Sequence, residues 1–372
     1  MSQQKLKRKG EEILSLADIK IDGTNPWDIQ VFNDNFYQRV LAQGSLGVGE
    51  SYMDGWWDAK ELDQFFFKVF NANLQEKIKP IHLIIPAIQA RIFNMQKKSK
   101  AFEIGERHYD IGNDLYFVML DKRMTYTCGY WEKAKNLNQA QEAKLDLVCK
   151  KLGLKPGQRV LDIGCGWGSF AKFAAEKYKV NVVGITVSKE QVELGRKMCA
   201  GLPVEIRLQD YRDVNEKFDH IVSLGMIEHV GYKNYRNYMQ VVHRCLKEDG
   251  LFLLHTIGGT RSDASSDPWI ERYIFPNSML PSMKQLTHSI EGLFVMEDFH
   301  NFGADYDKTL MAWFSNFDKN YEKIKDKYDE RFYRMWKFYL LACAATFRSR
   351  QNQLWQIVFS KKGVMGGYKS LR

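Results

Sequence analysis

The feature that most constrains the fold is the run Val160–Gly168, whose sequence is VLDIGCGWG. An apolar strand pattern leads into a turn with three glycines, Gly164, Gly166 and Gly168, and a helical pattern follows the turn. Glycine is needed where the backbone turns tightly, and where a ligand approaches the main chain without a Cβ in the way. A strand–loop–helix unit of this kind is typical of open α/β sheets, which bind ligands at the carboxyl ends of their strands.

Short apolar runs alternate with helical patterns from about residue 140 onward. The candidate strands are Arg159–Ile163, Asn181–Thr186, Val204–Leu208, His220–Leu224 and Leu251–Ile257, with a further apolar run at Leu354–Phe359. This alternation predicts a parallel sheet covered by helices. It stops after Ile257 for about 35 residues, and a long insertion at the carboxyl edge of a sheet is typical of a lid or a substrate wall.

The N-terminal part of the chain has a different pattern, which predicts a mainly helical domain over residues 1–100 before a catalytic domain over residues 101–372. Leu62, Phe65, Phe66, Val69 and Phe70 have helical spacing. We interpret Asp58 as a possible N-cap of this helix. The glycine-rich runs at Gly44–Gly49 and Met53–Trp57 predict turns.

Charge is concentrated in two segments, although the formal net charge is only +9. Residues 64–100 carry seven Lys/Arg against one acid, and residues 317–372 carry thirteen against five. Such segments suit an anionic surface, where each cation near a bilayer contributes about 1 kcal/mol. For residues 317–372, solvated helix faces are a serious alternative. The apolar stripe over residues 77–100, which ends in Lys97, Lys98 and Lys100, could lie on a bilayer or pack on a neighbouring helix.

The sequence argues against several other classes of protein. The six cysteines form no CxxC pair, so neither a disulfide framework nor a metal site is expected. The basic start leads into Glu11 and Glu12 instead of an apolar run, and no 18-residue apolar stretch exists. We therefore expect a cytoplasmic protein that touches the inner face of the cell membrane only peripherally.

The spacing of the glycines indicates which class of ligand the loop binds. GxGxG preceded by the acid Asp162 resembles the first motif of Rossmann-like methyltransferases, whereas dinucleotide sites use GxGxxG. The second strand ends at Thr186 without the acid that many methyltransferases use to hold ribose hydroxyls, so Thr186 and Gln191 would offer neutral hydrogen bonds. Ser188 could also be an N-cap, with Gln191 completing a capping box, and the two roles are compatible. Gln209 follows the third strand, where an adenine edge would lie.

Six runs, taken in order, are similar to the cyclopropane fatty acid synthase family nearly from end to end, including the N-terminal unit of its bacterial phospholipid enzymes. They are His108–Asp114, Met124–Trp131, Val160–Gly168, Gly225–Gly231, Leu253–Ile257 and Asn301–Tyr306. The resemblance implies a Rossmann-like class I methyltransferase sheet, an α/β fold, with helical lid insertions and a small N-terminal mainly helical domain. It also implies a homodimer and a phospholipid bilayer as partner.

The family transfers a methyl group from S-adenosylmethionine to a cis double bond of an acyl chain, and then removes a proton from that methyl group to close a ring. The expected cofactor-binding residues combine the positions that match the family with those in the glycine loop and at the strand ends. They are Tyr126, Thr127, Asp162, Gly164, Gly166, Gly168, Thr186, Gln191, Gln209, Asp210 and Tyr211. The family uses a bicarbonate ion as the base. The positions that match its ligands, and that we expect to be catalytic, are Cys128, Glu228, His255, the backbone of Ile257, and Tyr306.

This chemistry explains the types of residue. Methylation of an alkene generates a carbocation, which aromatic faces stabilise without offering a competing nucleophile. A side-chain carboxylate touching the cation could be alkylated, whereas a small exchangeable anion can take the proton and leave. Glu228 can orient such an anion only if one of the two supplies a proton, because two bare anions repel each other.

Three alternatives remain at this point. A related enzyme could methylate an alkene or a small-molecule amine without ring closure, and a non-catalytic lipid-binding protein could retain the same fold. A nucleic acid methyltransferase would explain the positive charge, but the sequence has neither an Asn-Pro-Pro-Tyr type run nor a Pro-Cys nucleophile. We therefore expect no nucleic acid partner. Taken alone, Cys128 and His255 would each be read as ordinary buried residues.

Overall fold

A computed structural model describes residues 2–74 and 112–372 of the chain. The helices are α1 (Gln3–Ser15), α2 (Asn35–Gln43), α3 (Ser45–Met53), α4 (Leu62–Asn71), α5 (Asn113–Met119), α6 (Leu137–Leu152), α7 (Ser169–Tyr178), α8 (Lys189–Met198), α9 (Tyr235–Cys245), α10 (Pro268–Tyr273), α11 (Met283–Ile290), α12 (Ala304–Asn320) and α13 (Glu330–Arg348). The strands are β1 (Ile29–Val31), β2 (Trp57–Ala59), β3 (Arg159–Ile163), β4 (Asn181–Thr186), β5 (Val204–Leu208), β6 (Phe218–Leu224), β7 (Leu246–Gly259), β8 (Val295–Asn301) and β9 (Asn352–Ser360).

The described chain forms two compact units, and neither is continuous in sequence. The first unit contains residues 2–74, 265–276 and 307–352, and the second contains residues 112–264, 277–306 and 353–372. The N-terminal helices therefore share a unit with α10, α13 and most of α12, which lie far along the chain. The predicted domain boundary near residue 100 lies outside the described residues and stays a prediction, as does the helix predicted within residues 77–100.

The first unit is held together where α4 meets α13. The Phe66 and Phe338 rings pack edge-to-face with centroids 4.8 Å apart. Arg348 donates to Asp63 at 2.7 Å and to Asp307 at 2.9 Å. A guanidinium that bonds two carboxylates from distant parts of the sequence fixes the late helices to the N-terminal segment.

Two local predictions for this unit are wrong. Asp58 does not cap α4, because it lies in β2 and accepts a hydrogen bond from Arg334 at 2.8 Å. The run Gly44–Gly49 is not a turn, because α3 begins at Ser45. The glycine at position 49 instead permits close packing, since a Cβ there would lie 2.3 Å from the Trp269 ring. The second predicted turn is confirmed at residues 54–56.

The second unit is built on a seven-stranded sheet with the order β5-β4-β3-β6-β7-β9-β8. Strands β5, β4, β3, β6 and β7 pair in parallel, and β8 pairs with β9 antiparallel. Ile163 pairs with Ile185, and Thr186 with Leu208, so β3, β4 and β5 end at the same edge. The predicted fold class, a Rossmann-like methyltransferase sheet, is confirmed.

The strand predictions are confirmed with small changes in their ends. The bounds of β3, β4 and β5 are as predicted, β6 begins two residues earlier at Phe218, and β7 runs from Leu246 to Gly259. Strand β8 was missed because its sequence, VMEDFHN, has acids and a histidine where an apolar alternation is expected. Two of these polar residues, Asp298 and His300, are nevertheless buried.

Helices cover both faces of the sheet. One apolar cluster joins the strands to Tyr238 and Val242 of α9, and the other joins them to Val148 of α6 and Phe170 of α7. Residues on alternate sides of the strands feed the two clusters, as expected for a parallel sheet with two buried faces. None of the helices within residues 2–74 and 112–372 has the length and apolar content that a membrane span requires.

Candidate active site

A cavity of about 170 Å³ opens at the carboxyl ends of β3, β4, β5 and β6. All but one of the predicted cofactor-binding residues line it. They are Tyr126, Thr127, Asp162, Gly164, Gly166, Thr186, Gln191, Gln209, Asp210 and Tyr211. The exception is Gly168, which begins α7 with a φ of +83°, and a Cβ there would lie 3.0 Å from the Cys199 sulfur. Gly168 thus allows close packing of the loop, and its contact with the cofactor stays a prediction.

The glycine loop forms one wall of the cavity. The N–H groups of Gly164 and Cys165 both donate to the carbonyl of Ile185, at 2.9 and 3.0 Å, which ties the loop to the neighbouring strand. Gly164 has a φ of +79°, and a Cβ there would lie 2.7 Å from the Met226 side chain. Gly166 also has a positive φ, but a Cβ there would meet no atom within 4 Å. Both positions thus keep the main chain open to a ligand.

Thr186 and Gln191 form a neutral polar pair where many methyltransferases place an acid. The Thr186 hydroxyl donates to Gln191 Oε1 at 2.6 Å. Ser188 caps α8 by accepting from the Gln191 N–H at 3.3 Å, which confirms the N-cap prediction. Gln191 does not complete the predicted capping box, because its Oε1 atom accepts from the Thr186 hydroxyl instead of from the Ser188 N–H.

Asp210 also has a local structural role at the cavity wall. It is buried, and it accepts hydrogen bonds from the N–H of Arg212 at 2.9 Å and from the Arg212 guanidinium at 3.3 Å. Its carboxylate therefore caps the short turn that begins at Tyr211. A ligand at this wall would meet a carboxylate whose charge Arg212 already balances.

Sequence reasoning missed several lining residues. Trp167, Arg212, Met226 and His229 also face the cavity. Trp167 lies within the glycine loop, and its indole N–H donates to Asn113 at 2.9 Å. The other three follow β5 and β6, so the rule that strand ends carry the ligand site could have found them.

Asp162 is a second buried acid that lines this cavity. Its Oδ2 atom has no hydrogen-bond partner among the described residues. Burial raises the pKa of Asp162 to about 7, although the ammonium of Lys144 opposes the shift. A carboxylate held away from water in this way gains from any ligand that brings a positively charged donor.

Glu228 is not among the residues that line the cavity, and it lies in the short turn Ile227–His229 that follows β6. Its Oε1 atom accepts a hydrogen bond from the Ile257 N–H at 2.8 Å. Its Oε2 atom is buried and has no partner in the described part of the chain. Burial raises the pKa of Glu228 to about 7, so the carboxyl can carry a proton at neutral pH. Glu228 and Ile257, two of the predicted catalytic positions, are thus linked by a hydrogen bond in which the Ile257 N–H donates to the Glu228 carboxyl.

His255 presents a second buried polar atom. Its Nδ1 atom lies 3.3 Å from the Gln356 amide nitrogen, and its Nε2 atom has no partner among the described residues. When the Gln356 amide nitrogen donates to Nδ1, the proton of the neutral imidazole is on Nε2. Burial, together with the ammonium groups of Lys144 and Lys151, holds the pKa of His255 well below its usual range. The imidazole is therefore neutral and has a hydrogen-bond donor to offer.

Cys128 and Tyr306 are also buried in the second unit. The Cys128 thiol lies 3.1 Å from the carbonyl of Gly129, to which it can donate. Tyr306 lies in the first turn of α12, and its N–H donates to the carbonyl of Gly303 at 3.1 Å. Cys128 and His255 share one electrostatic neighbour, since Lys144 interacts with both.

The topology of the sheet and the position of the cavity define a Rossmann-like ligand-binding fold, and the following comparisons identify it as an S-adenosylmethionine-dependent transferase. The family model for mycolic acid cyclopropane synthetase matches residues 96–357. Cyclopropane-fatty-acyl-phospholipid synthase of Escherichia coli K12 is 55% identical over 367 residues, which cover 98% of this chain and 96% of that protein. The chain belongs to the mycolic acid cyclopropane synthetase family.

Solved structures agree with this assignment. The cyclopropane synthase MmaA2 from Mycobacterium tuberculosis is similar with a TM-score of 0.66 and 31% identity, covering 70% of this chain and 98% of that one. Mycolic acid cyclopropane synthase CmaA1, complexed with SAH and CTAB, has the same TM-score and coverage at 33% identity. Coclaurine N-methyltransferase has a TM-score of 0.70 at 22% identity, covers 84% of this chain and 99% of that one, and shares the fold.

Proposed function

We propose that this chain transfers the methyl carbon of S-adenosylmethionine to a cis double bond of a phospholipid acyl chain, and closes a cyclopropane ring. The alkene forms the new bond to carbon as the carbon–sulfur bond breaks, and loss of one proton from the added methyl group supplies the electron pair that closes the ring. The observation that carries this proposal is the 55% identity to the Escherichia coli phospholipid synthase along 98% of the chain. That similarity includes the N-terminal segment, which lies outside the match to the mycolic acid family model.

We propose that the base is a bicarbonate ion held beside Glu228 and His255. Both side chains are buried, and each has one polar atom without a partner among the described residues, Oε2 of Glu228 and Nε2 of His255. Buried polar groups rarely remain unsatisfied, so such a pair of atoms fits a small polar ligand. Bound there, bicarbonate would supply an exchangeable acceptor for the proton lost on ring closure.

The protonation states of the two side chains suit an anion. Burial raises the pKa of Glu228 to about 7, which removes the repulsion that two bare anions would suffer. The neutral His255 offers an N–H on Nε2 to the anion when its Nδ1 atom accepts from the Gln356 amide. We assign both residues to holding the anion, with Cys128 and Tyr306 as further donors on the strength of the family resemblance.

The proposal predicts a specific change in membrane lipids. Expression in a bacterial host that lacks cyclopropane lipids should produce acyl chains with one added methylene bridge, detected by gas chromatography with mass spectrometry of their methyl esters. The same host with an empty vector is the control. Recovery of only methyl-branched chains would refute ring closure, and unchanged lipids from a well-expressed, folded protein would refute the lipid substrate.

We also propose that the chain docks on anionic bilayers through the basic cluster Lys97, Lys98 and Lys100, which lies outside the described residues. Changing these three lysines to glutamate should reduce sedimentation with phosphatidylglycerol vesicles about tenfold, because each cation near the bilayer contributes about 1 kcal/mol and screening by salt offsets part of it. The matched control reverses Lys177, Lys179 and Lys189, which are exposed on the second unit and give the same net charge. Equal sedimentation of the two triple variants would remove the cluster from this proposal.

A further inference from the structure

Lys144 is a fully buried lysine in the middle of α6. Its ammonium nitrogen donates to the hydroxyl of Thr127 at 2.6 Å. In the part of the chain that the structure describes, no carboxylate lies within ion-pairing distance of it. Burying an ammonium is costly, and Asp121 and Asp162 stabilise this one only from beyond ion-pairing distance, so an anionic ligand nearby would stabilise it further.

Helix α6 holds the whole segment that contains Thr127. The side-chain amide of Gln141, three residues before Lys144, donates to the Thr127 carbonyl at 2.7 Å. The carbonyl of Ala140 accepts from the Tyr130 N–H at 2.9 Å. Position 129 approaches the same helix so closely that a Cβ there would lie 2.9 Å from the Ala140 Cβ. Thr127 is therefore fixed at both its backbone and its side chain.

The contact between Lys144 and Thr127 sets the direction of the hydroxyl. An ammonium can only donate, so the Thr127 oxygen must accept from it, and the hydroxyl proton is left for another acceptor. Among the described residues no side chain or carbonyl takes that proton, and Thr127 lines the cavity. The hydroxyl is thus held as a donor toward a ligand.

The cavity has a complementary acceptor. Asp162 also lines it, and its buried Oδ2 atom has no partner among the described residues. A donor backed by a cation and a carboxylate acceptor in one cavity match a ligand end that carries both a carboxylate and an ammonium. The methionyl end of S-adenosylmethionine has this chemistry.

The geometry points to Lys144 as a positioning residue that orients the Thr127 hydroxyl toward the carboxylate of the methionyl end and places a positive charge behind it. Lys144 acts through Thr127, so we do not class it as catalytic. This inference rests on the proposed function, because it takes S-adenosylmethionine as the ligand. Burial lowers the pKa of Lys144 to about 8, so the ammonium remains the main form at neutral pH.

Two ligands that differ only in the carboxylate test the inference. Calorimetry should compare S-adenosylhomocysteine with its decarboxylated analogue, which keeps the adenosine, the sulfur and the amino group. Lys144→Met should bind S-adenosylhomocysteine about twentyfold more weakly than the unchanged protein does, while affinity for the decarboxylated analogue changes less than about twofold. Thr127→Val should show the same selectivity, and the double variant should be no weaker than Lys144→Met, because the two residues act as one unit.

Lys151→Met is the matched control. Lys151 lies two turns further along α6 and is equally buried, but its ammonium lies 3.4 Å from Asp298 instead of contacting Thr127. Its variant should keep both affinities. Equal weakening of both ligands by Lys144→Met, or no weakening, would overturn the inference, and Thr127→Val decides it if Lys144→Met does not fold. If the unchanged protein bound neither ligand, the proposed function would fail as well.

Discussion

Glu228→Gln is expected to lower turnover about 100-fold or more, while affinity for S-adenosylmethionine stays within about twofold. Glutamine can keep the hydrogen bond from the Ile257 N–H through its own Oε1 atom, so the turn that holds residue 228 should keep its shape. What is lost is a group at the Oε2 position that can gain or release a proton. Affinity is preserved because Glu228 does not line the cofactor cavity.

Steady-state kinetics and calorimetry measure the two quantities separately. Glu193→Gln is the control, since Glu193 is exposed on α8 and should leave both unchanged. A loss of cofactor affinity in Glu228→Gln as large as the loss caused by altering the glycine loop would contradict the assignment of Glu228 to the proton-transfer region.

The same substitution predicts a change in how stability depends on pH. The pKa of Glu228 rises from 4.5 to about 7 on folding because the carboxyl is buried. The folded state therefore binds the proton more tightly, and the stability that this proton contributes is fully present below pH 4.5 and is lost as the pH rises through 7. That interval corresponds to about 3 kcal/mol. Relative to the unchanged protein, Glu228→Gln should gain about this much unfolding free energy between pH 4.5 and pH 8, as measured by denaturant unfolding.

Gly164→Ala is expected to weaken S-adenosylmethionine binding about 100-fold, which corresponds to about 2.7 kcal/mol. Two effects combine. A φ of +79° is strained for alanine, and the added Cβ would lie 2.7 Å from the Met226 side chain, so the loop or the cavity wall must shift. Calorimetry with S-adenosylmethionine measures the change.

Gly157→Ala is the matched control for this substitution. Gly157 has a φ of +81° in a turn before β3, and a Cβ there would meet no atom within 4 Å. The Gly157→Ala substitution therefore introduces a similar backbone strain away from the cavity. Its melting temperature should fall, while its affinity for S-adenosylmethionine should remain that of the unchanged protein. Equal affinities for Gly164→Ala and Gly157→Ala would show that the glycine loop does not line the cofactor site.

Much of the second unit was predictable because its information is local. The strand that ends at Ile163, the glycine loop after it and the Ser188 cap each depend on neighbours a few residues away. Parallel strands also place their carboxyl ends at one edge, so the cofactor residues of β3, β4 and β5 could be grouped before any contact was known. The outlying Gly168 is explained by packing against Cys199, which no local pattern reveals.

Features that depend on distant partners were not predictable in this way. Asp58 has the spacing of a helix cap, but its carboxylate accepts a hydrogen bond from Arg334 instead of capping the helix. Strand β8 has a polar sequence, and Asp298 can be buried there because Lys151 and Arg372 balance its charge. The assignment of α13 to the unit of the N-terminal helices likewise rests on Arg348, which bonds Asp63 and Asp307 across the sequence.

The active site likewise combines features that the local sequence determines and features that depend on distant contacts. The sequence by itself determined the sheet, the cofactor loop and the family, because backbone geometry and motif order are properties of short segments. Only the tertiary structure decided that Oε2 of Glu228, Nε2 of His255 and Oδ2 of Asp162 have no hydrogen-bond partner among the described residues. Burial of those groups, and the placement of the Lys144 ammonium behind Thr127, arise from packing between elements far apart in the chain, where desolvation shifts the pKa values.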